Sequence, residues 1–182
     1  MAGNRKSIRL KNYDYSKEGA HYVTICAHDR KCIFGDVQNG EVLLNGMGNI
    51  VKFTWLGLPQ HNKNVELDEY IVMPNHMHGI IKIVGAGSKP ARNDNQDYNT
   101  LYNYNRAGLE PAPTWHGLSE IVRQFKTFSA KRINQMNETP GTCLWQRNFY
   151  EHVIRDESDL TRIREYIRNN PAGWEKDEYY CI

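Results

Sequence analysis

Apolar and polar positions change period several times along the chain, and each change marks an element. The stretch "HYVTICAH" is β-branched and aromatic, which predicts a first strand. In "CIFGDVQNGEVLLNG", Asn39-Gly40 stands between two valines, a dipeptide suited to a tight hairpin because both central positions of that turn take positive φ. The stretch "MGNIVKFTWLGLPQH" places Ile50, Phe53, Trp55 and Leu58 at mixed helical spacing and predicts a helix that stops at Pro59. Two apolar runs, "VELDEYIVM" and "HMHGIIKIV", are separated by Pro74-Asn75, a pair fit for a type I turn, so they read as adjacent antiparallel strands.

Residues 85 to 113 break this rhythm. They are rich in Gly, Asn and Pro and read as a mobile insertion. Beyond them, "GLSEIVRQFKTFSAKRINQMN" aligns Leu118, Ile121, Val122, Phe125 and Met136 on one helical stripe, leaving Arg123, Lys126, Lys131 and Arg132 largely off it. The segment "CLWQRNFYEHVIRD" is strand-like in part, and "ESDLTRIREYIRNNP" predicts a last helix capped by Asp156 or Ser158 and ending at Pro171. Helices alternating with a mainly antiparallel sheet predict an α+β sandwich in one domain spanning 1 to 182.

Composition narrows the function classes. A net charge of +2 is too small to diagnose a nucleic-acid partner, so any basic surface must be local. The cysteines Cys26, Cys32, Cys143 and Cys181 form no CxxC pair, and "MAGNRKSIRL" lacks the apolar core of a signal peptide, which together predict a reduced, cytoplasmic protein. No apolar run approaches the roughly 18 residues that span a bilayer.

Candidate chemistry starts at "MPNHMHGII". On a strand His76 and His78 project to one face about 7 Å apart along the strand, with Met77 on the other face, so both imidazoles can reach one cation. In a chain with seven histidines such a pair defines no site until further ligands or a nucleophile join it. The last helix offers candidates. Leu160, Ile163 and Ile167 set its buried stripe, and Tyr166 and Asn170 lie one turn apart near its border. They can supply a nucleophile and an amide ligand if this helix packs beside the histidine strand; otherwise Tyr166 is one of 11 tyrosines and Asn170 an ordinary helix ender.

The runs "YIVMPNHMHGIIKI", "LWQRNFYEHVIRDESDL" and "YIRNNPAGW" together resemble the single-tyrosine transposases of the His-hydrophobe-His (HUH) nuclease superfamily, in particular the REP-associated tyrosine transposases. The resemblance runs from "SIRLKNYDYSKEGAHYVTI" to "NNPAGW" and omits 85 to 113. It implies a ferredoxin-like antiparallel sheet flanked by helices, acting on single-stranded DNA beside a hairpin. His76 and His78 match the family's metal-binding histidines, Tyr166 its nucleophile, and Asn170 its third ligand. Asn170 followed by Pro171 favours the REP-associated branch over dimeric relatives that carry Gln there, so the protein is expected as a monomer or homodimer. The implied chemistry is cleavage and strand transfer through a 5'-phosphotyrosine link, with Mg2+ or Mn2+ fitting the donor set better than Zn2+.

Contacts to DNA are expected from the basic opening, Arg5, Lys6, Arg9 and Lys11, and from Arg123 and Lys126 on the long helix. Trp145 and Phe149 are expected in the core, His152 as a buried, satisfied histidine, and Tyr150 is the rival nucleophile. Two further readings use the same residues: a ferredoxin-like nucleic-acid-binding protein that does not cleave, and a metal phosphodiesterase in which water attacks.

Overall fold

The computed structural model describes residues 17 to 85 and 116 to 180. The basic opening and nearly all of the 85 to 113 insertion lie outside the described residues. Strands β1 (Gly19–Cys26), β4 (Val65–Val72), β5 (His76–Ile83) and β6 (Tyr150–Ile154) form one sheet in the order β4-β5-β1-β6, with every neighbouring pair antiparallel. Between β1 and β4 the chain makes a separate hairpin of β2 (Gly35–Gln38) and β3 (Glu41–Leu44), then helices α1 (Gly46–Leu56) and α2 (Leu58–His61). Helix α3 (Leu118–Met136) precedes β6, and α4 (Glu157–Asn169) follows it. This is the ferredoxin-like α+β arrangement that the sequence implies.

Strand alternation sorts the side chains into two cores. Val23 and Ile25 of β1 and Met77 and Ile81 of β5 pack with Trp55 of α1 and Phe125 of α3 on one face. Tyr22 and Ile80 point the other way and pack with Leu160, Ile163 and Ile167 of α4. A Cβ on Gly79 would enter the Trp55 indole, so the strand needs glycine there to let α1 approach. As expected, Trp145 belongs to the first core, where its Nε1 donates to Ser129 Oγ at 2.9 Å, and Phe149 packs against that core.

Local chemistry explains the boundaries. Asn39 and Gly40 have φ of 54° and 77°, as the β2–β3 hairpin requires. Asn45 Oδ1 accepts from Gly48 N and starts α1, and Asp156 Oδ1 accepts from Asp159 N and starts α4. Three expectations need correction. Helix α1 stops at Leu56, before Pro59; that proline sits in the first turn of α2, where its missing N–H leaves no bond unmade. Met136, beside Gly46 at the start of α1, is 48% exposed, and Ile133 takes the buried position instead. Cys26 and Cys143 are free thiols, but Cys32 is held in a disulfide, which the absence of a CxxC pair does not exclude. Among the described residues no helix is long and apolar enough to cross a membrane.

Helix α4 is locked to the sheet by charge as well as by its apolar stripe. The register of β4 against β5 slips between Leu67 and Tyr70, and the two intervening acids reach α4. Arg164 donates to both oxygens of Asp68 at 2.8 and 2.7 Å, Lys82 of β5 lies 2.6 Å from the same carboxylate, and Arg168 donates to Glu69 at 2.7 Å. The Arg164 guanidinium, with Lys82 behind it, holds the Asp68 carboxyl far below the usual carboxylate range. Because that pKa is depressed in the folded chain, its stabilisation is present above about pH 4 and fades as pH falls further. Asp68→Asn is expected to cost about 1–3 kcal/mol in denaturant unfolding at neutral pH and to flatten the acid limb of stability against pH. Gly79→Ala is expected to cost a comparable 1–3 kcal/mol, roughly, by overpacking against Trp55.

Candidate functional site

His76 and His78 sit at the start of β5 on the face covered by α4, paired across β1 with Cys26 and Thr24, and are 0% and 1% exposed. Their Nε2 atoms face each other at 3.0 Å. Two nitrogens each about 2.1 Å from one ion subtend about 90° at it when so spaced, so the separation suits a shared cation.

The surrounding bonds fix what each nitrogen can do. Asn75 donates its amide protons to the carbonyls of Arg30 and Tyr179, at 3.1 and 2.7 Å, so its oxygen must be the atom 2.8 Å from His76 Nδ1. That oxygen can only accept; Nδ1 of His76 therefore carries the proton, and Nε2 presents a lone pair. His78 Nδ1 lies 2.7 Å from the Tyr22 hydroxyl and 2.9 Å from Thr24 Oγ1. Hydroxyls can donate or accept, so His78 is free to present either a proton or a lone pair at Nε2. Burial lowers the His76 pKa to about 4 and, with His76 alongside, holds His78 well below the ordinary value. Both rings are neutral near pH 7, the form that ligates a metal.

Helix α4 brings the other two candidates to the same place. The Tyr166 ring is centred 5.3 Å from that of His78 and is 44% exposed, at the edge of a 270 Å³ pocket that Tyr22, His78 and Tyr150 also line. Burial, then the carboxylates of Asp177 and Glu178, push its pKa up, partly offset by the polar groups of Tyr22 and Asn170. Asn170 caps α4 and is 6% exposed; its Nδ2 donates to Asp177 Oδ2 at 3.0 Å, whereas its buried Oδ1 has no hydrogen-bond partner. A buried amide oxygen without a partner is costly unless something fills the position, and a cation fits. His152 lines the pocket too, paired with Asp159 at 2.7 Å, and Tyr150 is 45% exposed there.

Other expected contacts fall elsewhere. Arg123 and Lys126 lie on α3, across the sheet from the pocket. Arg123 is paired with Glu120, and Lys126 donates to the carbonyls of Gln146 and Asn148, both at 2.9 Å, which ties down the loop before β6. Sequence reasoning missed Tyr22, Thr24, Asn75 and Asp177. The polar residues alternating within "HYVTI" were a signal for the first two, while Asn75 read as a turn residue and Asp177 lay beyond the last motif. In the metal-free protein, lowering pH from about 6.5 charges the histidines of the unfolded chain while His76 resists until about pH 4, so stability should fall across that window. Imidazole NMR should show His76 neutral at pH 5.

No protein-family model matches the chain. An uncharacterised protein of Haemophilus influenzae is 38% identical over 177 residues, covering 97% of this chain and 93% of that protein. A second Haemophilus influenzae protein, provisionally named a REP-associated tyrosine transposase, is 27% identical over 170 residues, covering 90% of this chain and 77% of that protein. The solved structure of a REP-associated tyrosine transposase bound to a REP hairpin shares the fold, with a TM-score of 0.55 at 18% identity over 90% of this chain and 73% of that one. Taken with the three sequence motifs and the convergence of the histidine strand with the tyrosine helix, these comparisons show a chain that is similar to the REP-associated tyrosine transposases in sequence and in fold.

Proposed function

We propose that this protein is a transposase that cleaves and rejoins single-stranded DNA next to a hairpin, with Tyr166 as nucleophile. The observation that carries the reading is the meeting of Tyr166 with two buried, neutral histidines whose Nε2 atoms converge at 3.0 Å. The structure of the relative bound to a REP hairpin supports DNA as the partner. Such a protein works in the cytoplasm, where the DNA is.

The residues each have a task. The Tyr166 oxygen attacks the scissile phosphorus, the bond from phosphorus to the 3'-oxygen breaks, and the products are a 5'-phosphotyrosine link and a free 3'-hydroxyl. Reversal with another 3'-hydroxyl rejoins strands without an external energy source, because one phosphate ester replaces another. Burial, and then the nearby carboxylates of Asp177 and Glu178, keep the Tyr166 phenol protonated, so the proton leaves as attack proceeds, to water at the open side of the pocket. His76, His78 and Asn170 would hold Mg2+ or Mn2+, which supplies positive charge and Lewis acidity against the phosphate. The second layer of Asn75, Tyr22 and Thr24 sets the ring orientation of both histidines. Arg5, Lys6, Arg9 and Lys11, with Arg123, remain candidates for phosphate contact.

The test is a hairpin oligonucleotide with a single-stranded flank, incubated with Mn2+ or Mg2+ and resolved on a denaturing gel. Wild type should form a covalent protein–DNA adduct, Tyr150→Phe should retain it, and Tyr166→Phe should reduce it by at least about 10³-fold. An adduct that survives Tyr166→Phe contradicts the nucleophile assignment. Cleavage without any adduct selects a water-using phosphodiesterase, and hairpin binding without cleavage under either metal selects a pure binding module.

A further inference from the structure

The segment after α4 carries a group for which the assigned roles leave no use. A 3-10 turn, Pro171–Lys176, leads to Asp177, whose carboxylate lies beside the histidine pair: its oxygen and the two imidazole nitrogens are all within 4.8 Å of one another. Oδ1 accepts from Tyr179 N at 2.7 Å and Oδ2 from Asn170 Nδ2 at 3.0 Å. Each carboxylate oxygen keeps a further lone pair. Among the described residues, no Lys or Arg forms an ion pair with Asp177. A partly buried carboxylate beside two imidazole nitrogens, with no Lys or Arg paired to it, calls for a counter-charge from outside the chain.

We propose that Asp177 is itself a metal ligand, making the centre a two-histidine, one-carboxylate site in which Asn170 contributes an amide oxygen beside it. This rests on the metal reading given above and deepens it. The hydrogen bond between Asn170 and Asp177 has a definite sense: a carboxylate accepts only, so the Asn170 amide must turn Nδ2 towards Asp177. That leaves Oδ1 as the free donor atom, the one that is buried without a partner. One bond therefore presents two oxygens, one charged and one neutral, alongside two neutral nitrogens. The carboxylate lowers the charge of a divalent centre by one and biases it towards harder ions such as Mg2+ and Mn2+. It also links metal binding to the segment past α4: Arg30 lies over the Tyr179 ring at 5.0 Å and donates to the Glu178 carbonyl, while Asn75 holds the Tyr179 carbonyl.

The experiment uses the full chain without DNA, measuring Mn2+ affinity by loss of the free-ion EPR signal and the visible spectrum of the Co2+-loaded protein. Asp177→Asn, close in size, should weaken Mn2+ binding by about 10- to 100-fold and change the Co2+ d–d bands, with thermal unfolding in chelator close to wild type. Asp177→Glu, which keeps the charge on a longer arm, should recover part of the lost affinity and serves if the Asn variant folds poorly. If His76→Ala abolishes Mn2+ binding but Asp177→Asn leaves affinity and Co2+ spectrum unchanged, the carboxylate is not a ligand and this inference alone fails. If wild type binds no Mn2+, or His76→Ala binds it as well, the metal reading fails and takes this inference with it.

Discussion

The chelate of Asp68 by Arg164 and Lys82 decides where helix α4 stands. An apolar stripe of Leu160, Ile163 and Ile167 is enough to make α4 adhere to the sheet, but aliphatic contacts discriminate poorly between positions one turn apart along a helix. A bidentate guanidinium pair does discriminate, because its two bonds are lost together when the helix slides. The irregularity in β4 that presents Asp68 and Glu69 to α4 is thus a positioning device, and Tyr166 and Asn170 inherit their placement from it.

Around that fixed helix the site is built by alternation. Each strand gives one face to the aliphatic and aromatic core under α1 and α3 and the other to the pocket, so β1 can supply Tyr22 and Thr24 to His78 while Val23 and Ile25 remain in the core. The rings are neutral because they are buried, and oriented because an amide oxygen fixes one of them and two hydroxyls hold the other. Burial favours metal ligation and disfavours protonation at once, and Asp177 and Glu178 give the pocket a negative bias that a cation would relieve.

Much of this was legible in the chain. Period-2 alternation gave the histidine face and the strand pairing, and the 3.6-residue stripe of the last helix gave Tyr166 and Asn170 their common border; both are local patterns. What stayed hidden depended on contacts across long separations. Asn75 looked like a turn former because its turn role is local, whereas its hold on the Tyr179 carbonyl spans 104 residues. Asp177 had no pattern at all, since a single acid past a helix end acquires meaning only when the following turn folds it back. Met136 misled because an ideal stripe takes no account of where the neighbouring helix ends, and Lys126 read as a candidate DNA contact because the loop carbonyls it caps come 20 or more residues later.

Asn75 also bears on the order of events in the life of the molecule. Its side chain joins the β4–β5 turn, the Arg30 carbonyl and the Tyr179 carbonyl, and these same bonds set the proton on His76. During synthesis the histidine strand emerges long before Tyr179, so the imidazole is left without its final orientation until the last part of the described chain has been made. Such long-range closures form late in folding. The sheet can therefore be complete while the histidine centre is still unfinished, waiting for the bond that Asn75 makes to the Tyr179 carbonyl.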